Sequence, residues 1–117
     1  MAALNKAWYE WDSHCPLLEE TKALSAEAVQ YIREKPVREG AKEGLLDNKH
    51  EAVLDYTDAM TIGVVVPKLV FDRVENVFDE REVTELTATI AAYNCVSRFL
   101  VALDVGEMSA KYGVDMS

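Results

Sequence analysis

The sequence predicts an all-α domain, and three observations carry that prediction. Apolar residues recur every three or four positions in five separate segments, which is the period of a helix with one buried face. Helix punctuation stands where those segments begin and end: Ser25, Asp47 with Asn48, Pro67, the run Asp79-Glu80-Arg81-Glu82, and Gly106. One run, Gly63-Val64-Val65-Val66, has β-branched character, and no second run of that kind exists to pair with it as a strand.

The first segment carries Leu4, Trp8, Trp11, Cys15 and Leu18 on one stripe, interrupted by Pro16. Proline removes a backbone donor and crowds the carbonyl four residues back, so a helix to about Ser13 and a restart from Leu17 to Lys22 are expected. Cys15, just before the proline, is biased out of the helical basin, which would put His14 at a helix end where the dipole favours its imidazolium form. Ser25 caps a second helix from Ala26 to about Glu34, with Val29 and Ile32 facing inward and Pro36 as its stop. The stretch Lys35 to Leu46 holds Gly40 and Gly44 among charges and reads as a loop long enough to be a lid.

Asp47 or Asn48 opens a third helix whose inner face is Ala52, Val53, Tyr56, Ala59, Met60 and Gly63, with Glu51, Asp55 and Asp58 outside. Pro67 suits the first turn of a fourth helix that buries Val70, Phe71, Val74, Val77 and Phe78. Asp79 and Glu82 form a capping box for the longest helix, about Glu80 to Leu103, with Gly106 as terminator. That helix is apolar on nearly every side, as expected of a central helix or one covered by another subunit. A narrow polar line of Thr87, Asn94 and Arg98 crosses it, and buried polar groups need partners, so a polar cavity is expected there. Residues 1–106 are thus read as one domain, and the aperiodic tail 107–117 as loosely held.

Composition excludes several functions. The net charge of −9, from 21 acidic against 12 basic residues with no basic cluster, disfavours nucleic acid and anionic membrane surfaces. Cys15 and Cys95 fit neither a Cys-x-x-Cys pair nor a zinc set. The start lacks a secretory pattern and the longest apolar run is too short to cross a bilayer, so a cytoplasmic protein is expected. A chain this short buries a modest share of its surface, which makes homo-oligomerisation an expectation from the outset.

The chemistry-bearing stretch is Trp8-Tyr9-Glu10-Trp11-Asp12-Ser13-His14. Glu10 and His14 stand four residues apart, so on a helix the two side chains can touch between two tryptophans. Such a pair can serve as general acid and base; it can equally be a surface ion pair worth ~0.3 kcal/mol. It can also supply two metal ligands, but no third is apparent, since His50 stands in a charged helix start; no metal is expected.

Tyr9-Glu10-Trp11-x-x-His14, the helix after Asp47, and Val83-Thr84-Glu85-Leu86-Thr87 continuing to Tyr93-Asn94-Cys95-Val96-Ser97-Arg98-Phe99-Leu100 together resemble the carboxymuconolactone decarboxylase-like group of the alkylhydroperoxidase D-like superfamily. The resemblance runs from about Ala7 to Gly106. It implies a helical bundle that assembles into trimers, hexamers or related rings with active sites near subunit contacts. In the peroxidase branch a Cys-x-x-Cys pair precedes the histidine; aligned on His14, those positions hold Ala7 and Glu10, so thiol peroxidase chemistry is not expected. The decarboxylase-like branch places a glutamate at the second position, as here. The helical segment that usually precedes the motif is not seen ahead of it, as in a shortened or divergent member.

The resemblance casts His14 as general acid/base and Glu10 as the group that orients it, in a lyase that needs no cofactor. Loss of carbon dioxide leaves an enolate, which needs charge stabilisation and then a proton on carbon. His14 would donate that proton, and Arg98 with Asn94 would anchor a carboxylate or the enolate oxygen. Trp11, Thr57 and Tyr93 are candidate pocket lining, although core packing suits Tyr93 well, as it does Trp8, Trp11, Met60 and Phe99. The expected partner is a small, carboxylated or enolisable molecule. An isomerase or cyclase using the same pair is one alternative; a non-catalytic oligomer that binds a small molecule or a partner subunit is another.

Overall fold

The computed structural model describes residues 1–34 and 45–117. Within them the chain is all-helical: α1 (Trp8–Thr21), α2 (Ala26–Glu34), α3 (Asn48–Ile62), α4 (Lys68–Val77), α5 (Glu80–Ala102), a 3-10 turn (Val105–Glu107) and α6 (Met108–Tyr112). No strand occurs among the described residues, and Gly63 to Val66 is a connector. Pro36 and most of the expected lid, residues 35–44, lie outside the described residues.

Local chemistry sets most helix starts. The Ser25 hydroxyl accepts the Ala28 amide at 3.1 Å and the Asp47 carboxylate accepts that of His50 at 2.8 Å. Pro67 precedes α4, and Asp79 with Glu82 closes the full capping box of α5. One core joins α3, α4 and the first half of α5. Ala52, Tyr56, Val74 and Ile90 are buried there, with Met60, Val70, Phe71, Val77, Phe78, Val83 and Leu86 packed around them. At its rim Arg73 of α4 reaches Asp55 at 2.7 Å and Glu51 at 3.9 Å, so part of the face expected to be solvated ties α3 to α4.

Three expectations are corrected. Helix α1 runs unbroken through Pro16, so His14 stands in mid-helix and not at an end. The proline removes only the bond to the Asp12 carbonyl, and the turn before it is pinned from outside. The residues after Glu107 supply that pin. Tyr112 stacks on Trp8 with ring centroids 5.1 Å apart. Its hydroxyl donates to the two Asp12 oxygens at 2.7 and 2.8 Å, and Lys111 adds an ion pair at 2.9 Å. Aromatic stacking and a charged hydrogen bond hold a tail that has no amphipathic period to announce it. Phe99, expected in the core, is 65% exposed, because it lies on none of the sides of α5 that α1, α3 and α4 cover.

Candidate functional site

The second half of α5 packs on α1 and on the turn formed by residues 1–6, and here the contacts are polar. Glu10 is 4% exposed, and Ser97, on the facing side of α5, is fully buried. The Ser97 hydroxyl makes a short hydrogen bond to Glu10 Oε2 and lies 2.9 Å from Met1 Sδ. Glu10 Oε1 is buried and has no hydrogen-bond partner among the described residues.

The Glu10 and His14 side chains therefore do not meet as their spacing allows. The carboxylate turns inward to Ser97, while His14 Nδ1 bonds to the backbone carbonyl of Glu10 at 3.0 Å. A carbonyl can only accept, so Nδ1 carries the hydrogen and the neutral ring holds its lone pair on Nε2. Nε2 faces the Tyr93 hydroxyl at 3.3 Å, and the two rings meet edge to face with centroids 5.3 Å apart. Glu10 thus orients the imidazole through its main chain.

These groups border an open recess of about 260 Å³ lined by Met1, Ala2, Glu10, Trp11, His14, Cys15, Leu18 and Tyr93. That volume suits a small ligand, and the wall surface is almost wholly apolar; His14 and Tyr93 are the polar side chains beside it, the Glu10 carboxylate being buried against Ser97. Burial, and then the neighbouring Glu19 carboxylate, push the Cys15 thiol above its usual range, so it is held in the unreactive neutral form.

Three expected site residues lie elsewhere. Asn94 fills all its hydrogen-bonding capacity in the seam: its amide nitrogen donates to Thr61 Oγ1 at 3.0 Å and Ile90 O at 3.1 Å, and its oxygen accepts from Asn5 at 3.0 Å and Arg98 at 2.6 Å. Arg98 spends its guanidinium on Asn94 and on the Thr61 carbonyl at 3.3 Å. Thr57 donates back to Val53 O at 2.7 Å within α3. At the other end of the polar line, Thr87 gives its proton to Val83 O and accepts the Tyr56 hydroxyl at 2.7 Å. The line is closed on protein partners.

Ser97, Met1 and Ala2 were not legible as site residues. For Ser97 a signal exists: Ile90, Asn94 and Ser97 follow an i, i+4, i+7 series that marks the inner face of α5. Nothing in the sequence predicts how residues 1 and 2 fold back onto that face. His50 sits at the exposed start of α3, bonded to Asp47 at 2.8 Å. No group of three His, Cys, Asp or Glu side chains among the described residues is arranged to hold a metal ion, and no single helix among them is long and apolar enough to cross a membrane. Comparison with family models, curated proteins and solved structures gave no match.

Proposed function

We propose that the recess binds a small, largely apolar, enolisable molecule and that His14 moves its proton. The observation that carries this reading is the fixed imidazole: Nδ1 held by the Glu10 carbonyl, Nε2 turned to Tyr93 at the recess wall. Nε2 takes a proton from the carbon beside a carbonyl, leaving an enolate, and the imidazolium returns the proton to carbon or oxygen. Tyr93, freed from Nε2 by the entering molecule, donates to the enolate oxygen.

The resemblance to carboxymuconolactone decarboxylases supports proton transfer of this type, in a homo-oligomeric helical bundle and without redox cofactor or metal. It also suggests decarboxylation. The position of Arg98 favours a neutral substrate over a carboxylate, because among the described residues no arginine or lysine side chain borders the recess. Isomerisation through an enolate is therefore the reading best supported, with decarboxylation second.

The test is α-proton exchange of a bicyclic ketone, 2-tetralone, in D2O followed by proton NMR. Wild-type protein is expected to accelerate exchange, His14→Ala to lose about 10²–10⁴-fold, and Tyr93→Phe to lose about tenfold. Arg98→Ala is expected to leave the rate unchanged. Equal rates for wild type and a folded His14→Ala would contradict the acid/base role. Saturable ketone binding without exchange would make the recess a binding site only.

A further inference from the structure

We propose that two copies of this chain pair through the outward face of α5, antiparallel, about a two-fold axis at Cys95 and Val96. The face consists of Ala88, Ala92, Cys95, Val96, Phe99 and Leu103, whose spacing puts them within one narrow arc of the helix, opposite Ile90 and Ser97. All six are exposed; Val96, Phe99 and Leu103 stand 45%, 65% and 63% open. Leaving three such side chains bare along roughly 10 Å of helix is unfavourable unless something covers them.

Two features make a second copy the occupant. The first is charge. A chain of net charge −9 that met itself through most of its surface would press carboxylates together, whereas this face holds none between Ala88 and Leu103. Arg98, the one charge on that stretch of α5, turns away to Asn94 and Thr61. The polar boundary comes one turn earlier, at the exposed Arg81–Glu85 ion pair.

The second feature is size. The small residues, Ala88 and Ala92, occupy the first half of the face and the large ones, Phe99 and Leu103, the second. An antiparallel copy brings Phe99 onto Ala92 and Leu103 onto Ala88, twice over by symmetry, while Cys95 of each copy meets Val96 of the other beside the axis. A parallel pair would stack Phe99 on Phe99 and leave a gap between the alanines. The face is thus complementary to itself reversed. A standard interface takes about 800 Å² from each partner, and this stripe is its apolar centre.

The inference is independent of the recess chemistry, because Tyr93 lies on another side of α5; a dimer with an inert recess, or an active monomer, tells the two apart. Sedimentation of the full chain at tens of micromolar is expected to give a dimer, and Phe99→Glu and Phe99→Ser to give monomers of unchanged helical circular dichroism. A short bis-maleimide is expected to join two copies of Cys15→Ser, which retains Cys95, and to join none of Cys95→Ser. A monomeric wild type would overturn the proposal, including one that binds neutral lipid vesicles through the stripe. So would a dimer that survives Phe99→Glu, or any oligomer in which Cys95 fails to cross-link.

Discussion

The two halves of α5 are fixed by different chemistry. Its first half presents Val83, Leu86 and Ile90 to α3 and α4 in an apolar core, where Tyr56 and Thr87 satisfy each other at the edge. Its second half presents Asn94 and Ser97 to α1 and the opening turn, where a carboxylate, two hydroxyls and two amides are bonded in a seam. Apolar packing tolerates small shifts in position, whereas a buried hydrogen-bond network holds only one register. The recess and its histidine lie on the seam, where fixed orientation matters for moving a proton.

The contrast can be broken first in the core. Ile90→Ala removes a buried side chain with no polar neighbour to compensate and is expected to cost about 3 kcal/mol in urea unfolding. In the seam, Ser97→Ala changes volume little but strips Glu10 of its hydrogen bond, leaving both carboxyl oxygens unpartnered; about 2 kcal/mol is expected. A negligible effect would mean that the seam is held by packing alone.

Smaller effects sharpen the boundary. The Tyr112 hydroxyl, and after it Lys111, hold the Asp12 carboxyl below the usual carboxylate range. A lowered folded value means that the contact stabilises the protein above the unfolded pKa of about 4 and ceases to do so as the pH falls through the folded value. Asp12→Asn is expected to lower stability by about 1 kcal/mol at pH 7, with the gap to wild type narrowing below about pH 4. The smallest expected change is a gain. Val64 holds φ at 62° in the connector after α3, a region costly for a β-branched residue, so Val64→Gly should raise the unfolding free energy in urea by about 0.5 kcal/mol.

The core half was readable because its signals are local. Asp47, Pro67 and the Asp79 capping box each act within four residues, and Val74 and Ile90 follow the helical period. The seam was only half readable. Spacing put Glu10 and His14 on neighbouring turns but could not tell which group of Glu10 the imidazole would bond, because the carboxylate's partner is 87 positions away. Pro16 misled for the same reason. Its local penalty is real, yet the restraint on Asp12 comes from Lys111 and Tyr112 at the far end of the chain. Arg98 was expected at the recess on type and helix position; the Thr61 carbonyl at the end of α3 claims it instead.

The central claim is that the Glu10 carboxylate belongs to Ser97 and its carbonyl to His14. Double-mutant cycles in urea test it directly, pairing Glu10→Ala with Ser97→Ala and then with His14→Ala. The Glu10–Ser97 cycle is expected to give a coupling of about 1–2 kcal/mol and the Glu10–His14 cycle a coupling near zero, since that contact runs through a backbone atom no substitution removes. Strong coupling between Glu10 and His14, with none between Glu10 and Ser97, would contradict the account.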